Sequence, residues 1–472
     1  MSLKDSALSH LHTHEENLVE VAKAIWEHPE VGLQEHFAST HIAAELEQAG
    51  FTLQKGVGQM PTAFVASWGN GKPIIGILGE YDALPGLSQT VTANKEAIVD
   101  GGPGHGCGHN LFGVASLGAA LAVKQAMEQQ RINGTIRYYG CPAEETLVGK
   151  TFMARDGVFD DLDAALAWHP SSINSVWNSS SLAMNSFKVN FYGVASHAAA
   201  APEMGRSALD AAQLMDIGVN YLREHVPQET RMHSVITHGG GAPNVVPPHA
   251  QIWWFVRAPR REQVDAVYQR VLDIAKGAAL MTGTTYDIDF LTGCYEMLAN
   301  QALSNLMLEK MKELGGIRFN ETEKVFAKQL QASIPAHMFE AGLAHLLQNA
   351  ASGTTRADLG DALCEGIIMP SESPRVMSGS TEVGDVSQIA PTANLVTACE
   401  PLGTPPHSWQ TVATSGSSIG FRGMMFAAQV LSLTALDLLT KPEALKAARD
   451  EFMQATQGKK YVTPLPADAK PH

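Results

Sequence analysis

Apolar positions recur at helical spacing from Asn17 to Gly50, interrupted by HPEVG, and Gly50 stands where a helix commonly ends. Two helices are predicted there. The run KPIIGILGEYDALPG is continuous and β-branched until it stops at Glu80 and Asp82 and then at a Pro-Gly turn. That is the pattern of a buried strand delivering side chains to a sheet edge. LFGVASLGAALAVKQAMEQQ reads as a buried helix, GTIRYYGCPAEE as a strand ending in carboxylates, and AALAWHP as a strand ending in His169. Strands that alternate with helices and release polar residues at their ends predict an α/β sheet with a site along the strand ends.

Near Ala183 the pattern changes. SLAMNSFKVNFYGVASHAAA alternates like a strand, RSALDAAQLMDIGVNYLREHV is helical, AQIWWFVRAPR is an aromatic strand, and EQVDAVYQRVLDIAKGAALMTG is a helix. This predicts a small α/β layer over 183–297, inserted into a discontinuous domain of 1–182 and 298–472. Ala351 to Pro374 reads as a surface excursion, and the tail after Gly458 as loosely held. No internal repeat is found.

Length changes little: 472 residues suit roughly two domains. With 45% hydrophobic and 17% charged residues the composition is globular, and no unbroken apolar run is long enough to cross a bilayer. The opening MSLKDSALSHLHTHEENLVEVAKAIW does not read as a secretion signal, so the cytoplasm is the expected compartment and no membrane partner is expected. Five scattered cysteines argue against a disulfide framework. Acidic residues outnumber basic ones 48 to 33, for a net charge of -15, and no basic stripe exists, which excludes nucleic acid as an expected partner. His10, His12 and His14 read as a solvated helix or mobile end, with a metal-binding tract as the alternative.

The chemistry concentrates elsewhere. GPGHGCGHN carries His105, Cys107 and His109, and Cys107, His109, Glu145, His169 and His407 are all of types that suit zinc or manganese. Taken singly, each has a bland reading as a hydrogen-bonded structural residue. The adjacent Glu144 and Glu145 repel at a buried strand end unless a cation lies between them, so one as ligand and one as general base makes sense; the alternative is a solvated turn. A Ser-His-Asp hydrolase competes through GSSIG around Ser418, but the histidine that should follow is only the terminal His472. Phosphate-binding glycine motifs are absent as complete patterns.

GEYDALPG, GHGCGHN, CPAEE, AWHP, SHAAAAP, NVVPP, GSTEVGDVS and TPPHSWQ, in this order, resemble the metal-dependent amidohydrolase and peptidase family that includes hippurate hydrolase, auxin-conjugate hydrolases and carboxypeptidase G2. The motifs span most of the chain. The resemblance implies a two-domain α/β metallopeptidase, with a central mixed sheet flanked by helices and a smaller inserted α/β lid or dimerisation domain. It implies two divalent ions per subunit, Mn2+ or Zn2+, with Cys107 as the bridging thiolate and His109, Glu145, His169 and His407 as the other ligands. Glu144 matches the general base. Asp82 matches the carboxylate that orients a ligand, or is an ordinary turn residue; His105 is a bystander or a donor behind the ligands. His197 matches a donor to the oxyanion, which in relatives often reaches in from a partner chain; its other reading is a histidine closing a strand. Asn244 and Arg257 match positions that hold the substrate's amide and carboxylate, a salt bridge being the other reading of Arg257. Gly379, Ser380 and Thr381 match a substrate-facing loop that Asp385 supports. Two positions depart from many relatives, Glu80 before Tyr81 and Asn110 after His109.

The implied activity is hydrolysis of the amide of an N-acyl amino acid. GEYDALPGLSQ, GHGCGHNL, GKTFMARDGVFDD, GRSALDA, TPPHSWQ and the EGIIMP-to-GSTEVGDVS spacing suit the branch acting on p-aminobenzoyl-glutamate. A dipeptidase or an aminoacylase for another aromatic conjugate is the alternative. The implied assembly is a homodimer or a heterodimer with a related subunit, including the case of a chain active only in a hetero-oligomer.

Overall fold

The computed structural model describes residues 2–373 and 375–472; the initiating Met1, and Pro374 at the end of the expected excursion, lie outside the described residues. In chain order the strands are β1 Thr52–Lys55, β2 Phe64–Asn70, β3 Ile74–Glu80, β4 Gly134–Cys141, β5 Ala164–Ser171, β6 Ser175–Trp177, β7 Ala183–Tyr192, β8 Arg231–His238, β9 His249–Ala258, β10 Thr285–Cys294 and β11 Thr392–Ala398. The chain forms two compact units. One comprises Met1–Ser179, Leu298–Arg375 and Val386–Tyr461, the other Ser180–Met297, Val376–Asp385 and Val462–His472.

The first unit is built on a seven-stranded mixed sheet in the order β1-β2-β4-β3-β5-β11-β6. Its central strands β4, β3, β5 and β11 are parallel, while β1, β2 and β6 pair antiparallel at the margins. Every residue of β3 is buried, which is why its sequence is an unbroken apolar run rather than an alternation. The helix His109–Gln130 is likewise apolar on most sides because it packs on β3 and against the helix Ser418–Thr440. Ser418–Thr440 is long and apolar enough to cross a membrane, yet 83% of its most apolar window is buried inside the protein. The two helices expected before Gly50 are Glu15–Glu27 and His36–Gln48. The helix Leu3–Thr13 precedes them and buries Ala7 and Leu11.

The second unit is a four-stranded antiparallel sheet, β10-β7-β9-β8, with helices Ala208–Leu222 and Arg261–Thr282 packed on it. Ala250, Ile252, Trp254, Val256 and Ala258 alternate inward along β9 and meet Phe187, Val189 and Phe191 of β7 in one core. This gives a large mixed α/β sheet with helices and a second α/β unit.

One expectation needs qualifying and one correcting. Residues 351–373 are mostly exposed, as a surface excursion should be, but the segment is anchored: Leu359, Leu363 and Ile368 are buried, and the Asn174 amide donates to the carbonyls of Cys364 and Gly366. The tail after Gly458 is held too, since Tyr295 donates to the Val462 carbonyl and Leu465 is buried. Sparse apolar residues in a polar segment suffice once a neighbouring backbone offers hydrogen bonds.

Candidate metal centre and second-unit residues

The polar stops of the first unit converge. Glu80 ends β3, Asp82 follows it, Glu144 and Glu145 lie in a short 3-10 turn just after β4, and His169 lies near the end of β5. Cys107 precedes and His109 opens the helix His109–Gln130. Gly108 caps that helix at φ 73°, and a Cβ there would lie 3.0 Å from the Pro170 ring, so glycine is favoured where the GHGCGHN loop passes beside the His169 strand end. Ala143 (φ 53°), Leu147 (φ 58°) and His407 (φ 53°) also hold left-handed backbone, so the turns that present Glu144, Glu145 and His407 carry some local strain, as do Leu33, Gln59, Arg131 and Gln457 elsewhere.

Side-chain geometry orders the cluster. Asp82 Oδ1 accepts from His109 Nδ1 at 2.8 Å, and its Oδ2 accepts from the Glu145 backbone N–H at 2.9 Å. His169 Nδ1 donates to the Pro170 carbonyl at 2.7 Å. Both imidazoles therefore present Nε2 as the free ligand atom. His169 Nε2 lies 3.2 Å from Cys107 Sγ, and His407 Nε2 lies 3.4 Å from Glu145 Oε2. Ligand atoms of Cys107, His109 and His169 lie within 4.8 Å of one another, as do those of Cys107, Glu145 and His407, and those of Glu80, His109 and Glu144.

The electrostatics call for a cation. Burial and Glu145 push the Cys107 thiol up, burial and Glu80 raise Glu144 to about 7, and burial, against the pull of His109, raises Glu145 to about 8. Burial opposes a charged His109, yet Cys107 and Asp82 hold its pKa well above that of an ordinary histidine. Divalent cations would ionise the carboxylates and thiol at neutral pH. Glu145 Oε1 is buried with no hydrogen-bond partner, and His109 Nε2 faces Glu80 and Glu144 at 3.4 and 3.8 Å. The thiol, imidazole and carboxylate donors present thus fit divalent metals.

Other residues of these motifs face backbone carbonyls. His105 is buried, its Nε2 3.2 Å from the Ile25 carbonyl, and Asn110 donates to the carbonyls of Ala22 and Ser415. Ser418 merely opens a helix capped by Ser417. Sequence reasoning missed two charged residues. Glu35, raised to about 7 by burial and by Asp82, accepts from the Ala143 N–H at 2.7 Å and from the Thr62 hydroxyl at 3.0 Å. Lys150 is fully buried with Nζ 2.7 Å from Glu80 Oε1. A lone lysine inside LVGKTFM was the one available signal.

The remaining candidates lie in the second unit. His197 and Asn244 stand on paired loops: Ala198 N–H donates to the Asn244 carbonyl at 3.0 Å, and His197 bridges Val245. His197 Nδ1 accepts from the N–H groups of Ala199 and Ala200 at 3.3 and 3.1 Å, which places the proton of a neutral ring on Nε2. Arg257 on β9 lies over the Phe255 ring, and its Nε is buried without a partner. No ion pair to Arg257 occurs among the described residues. Gly379 accepts from the Leu182 N–H, Ser380 Oγ is buried without a partner, and Thr381 Oγ1 accepts from the Val383 N–H. Asp385 accepts from the Tyr295 N–H at 3.2 Å, a bond that braces this loop.

Residues 183–281 match the peptidase dimerisation domain family. The chain is 42% identical to a p-aminobenzoyl-glutamate hydrolase subunit of Escherichia coli K12, over 96% of this chain and 95% of that one. It is 29% identical to the Xaa-Arg dipeptidase of Mus musculus, over 95% and 92%. Among solved structures, a dinuclear metal-binding peptidase of the M20 family from Bacillus subtilis shares the fold at a TM-score of 0.57 and 17% identity, covering 91% of this chain and 99% of that one.

Proposed function

Because the chain belongs to the M20 family of metal-dependent amidohydrolases and peptidases, we propose that it hydrolyses the amide of p-aminobenzoyl-glutamate to p-aminobenzoate and glutamate. The observation that carries this reading is the thiol, imidazole and carboxylate cluster within 4.8 Å, with the Glu144 carboxylate beside it. The near full-length likeness to the Escherichia coli hydrolase subunit directs it to that substrate.

Cys107, His109, Glu145, His169 and His407 would hold two divalent ions, Mn2+ or Zn2+. Ions held there supply Lewis acidity, polarising the substrate carbonyl and lowering the pKa of water. Glu144 takes the proton of the attacking water and returns it to the leaving amide nitrogen. Asp82 fixes the tautomer of His109 and the backbone of Glu145, so both stay aimed. His197 donates its Nε2–H to the oxyanion of the tetrahedral intermediate. Asn244 holds the amide, Arg257 meets the glutamate carboxylate with its planar fork, and the backbone of Gly379, Ser380 and Thr381 also meets the substrate.

The dimerisation-domain match and the relative's designation as a hydrolase subunit support assembly with a second chain, either another copy or a related one. Free cysteines throughout the described residues suit a reducing compartment such as the cytoplasm. The dipeptidase relative keeps a second substrate reading alive. The test is a hydrolysis panel of p-aminobenzoyl-glutamate, hippurate, indole-acetyl amino acids and plain dipeptides, run with each metal on the isolated chain. Cleavage of p-aminobenzoyl-glutamate well above the rest is expected; metal-loaded protein that cleaves no amide in the panel defeats the reading.

A further inference from the structure

We propose that the buried Lys150–Glu80 ion pair is a positioning device that weakens cation binding at the His109 side of the centre. It does so by holding the Glu80 carboxylate and by placing a fixed positive charge beside that site. The proposal rests on the metal-centre reading above. Glu80 lies between two partners: Oε1 is 2.7 Å from Lys150 Nζ and Oε2 is 3.4 Å from His109 Nε2. With Glu144, Glu80 and His109 form a cluster that could itself hold an ion. No motif in the sequence assigns Lys150 a role.

Its placement is built in. Lys150 is the second residue of the helix Gly149–Arg155, and Gly149 leaves no room for a Cβ against the Pro142 carbonyl, so the helix starts hard against the turn that carries Glu144 and Glu145. The Lys150 and Glu80 side chains are 0% and 1% exposed, so solvent screens neither. An unscreened ammonium repels a divalent ion nearby and competes with it for Glu80. Removing the ammonium withdraws a positive charge 2.7 Å from the Glu80 carboxylate, and a cation nearby gains from the attraction that charge had taken up. Removing the carboxylate instead takes a negative charge from beside the incoming ion while the ammonium stays.

The experiment is titration of metal-stripped full-length protein with Mn2+ and Zn2+ against a competing chelator, with bound metal counted by elemental analysis. Lys150→Met should tighten the weaker site about tenfold, Glu80→Gln should weaken it about tenfold, and the double variant should return to within roughly threefold of wild type. An unchanged or weaker site in folded Lys150→Met overturns the proposal. Should that variant fail to fold, the comparison of Glu80→Gln with the double variant decides: tighter binding by the double variant supports the device, equal binding overturns it. Wild type that binds no cation at all defeats the metal-centre reading, and the device with it. Wild type that binds normally beside indifferent variants defeats only the device.

Discussion

Cys107, His109, Glu145 and His169 stand at the ends of buried strands or at the mouth of a buried helix, tied to one another and to Asp82 by hydrogen bonds of 2.8 to 3.2 Å. His197, Asn244 and Gly379 stand on exposed loops of the second unit, held mainly through their backbones. The first group resists change because each member's position is over-determined by packing. The second keeps the His197 Nε2 donor unspent, and Arg257 on the neighbouring strand β9 likewise keeps a buried Nε without a partner. Metal chemistry needs fixed ligands, while substrate recognition needs groups that gain partners only when substrate arrives.

The sharpest division comes from Glu144→Ala. Turnover of p-aminobenzoyl-glutamate should fall about 10^3-fold while both ions remain, because the proton carrier is lost and the ligands are not. Elemental analysis beside steady-state kinetics reads both halves at once; loss of metal in parallel with activity would make Glu144 a ligand. His197→Ala should cost roughly 10^2-fold in kcat with metal affinity intact, and Arg257→Met should raise KM roughly tenfold with a smaller change in kcat. If either variant sheds metal, the two groups are not separable as drawn.

Gly108→Ala attacks the first group through its backbone. A side chain at φ 73°, against Pro170, should cost about 1–3 kcal/mol and loosen the loop carrying Cys107 and His109, lowering both the thermal midpoint and metal content. The matching change at Gly379, where a Cβ meets open space, should leave stability and metal content near wild type. Equal effects at the two glycines would erase the contrast between a packed and an open half.

That contrast also explains what the sequence made readable. β3 and β5 announce themselves because parallel strands buried on both faces must be continuous apolar runs, and their abrupt polar stops mark Glu80, Asp82 and His169. β8 was missed because Met232 is its only buried residue, so RMHSVITH carries no alternation. β10 was overlooked although Tyr286, Ile288 and Phe290 alternate toward the core. The roles proposed for Cys107, Glu144 and His197 rest on ordered motifs, since residue type and spacing left structural alternatives open. Glu35 and Lys150 stayed hidden because burial of a single charge depends on distant segments: Glu35 is bound by Ala143 and Thr62, Lys150 by Glu80.

The smallest predicted effect concerns the metal-free protein. Glu35 and Glu144 are raised to about 7, and Glu145 to about 8, from an ordinary value of 4.5. Each holds a proton in the folded chain that the unfolded chain has already released, so the stability they contribute is complete below pH 4.5 and is lost as pH rises through about 7 to 8. His105 and His169, lowered to about 4 by burial, act in the opposite direction, but only below their ordinary value of 6.5. Between about pH 6.5 and 8 the carboxylates therefore act without that opposition, and the thermal midpoint of stripped protein should fall by a few degrees across this window. Bound cations favour the ionised carboxylates, so loaded protein should show a flat or rising midpoint over the same range. Glu35→Gln keeps an amide oxygen for the Ala143 N–H but cannot titrate, and should shallow the slope without emptying the centre. A stripped protein whose midpoint climbs from pH 6.5 to 8 would mean that these carboxylates are already ionised without metal, and that burial does not set the character of this half of the molecule.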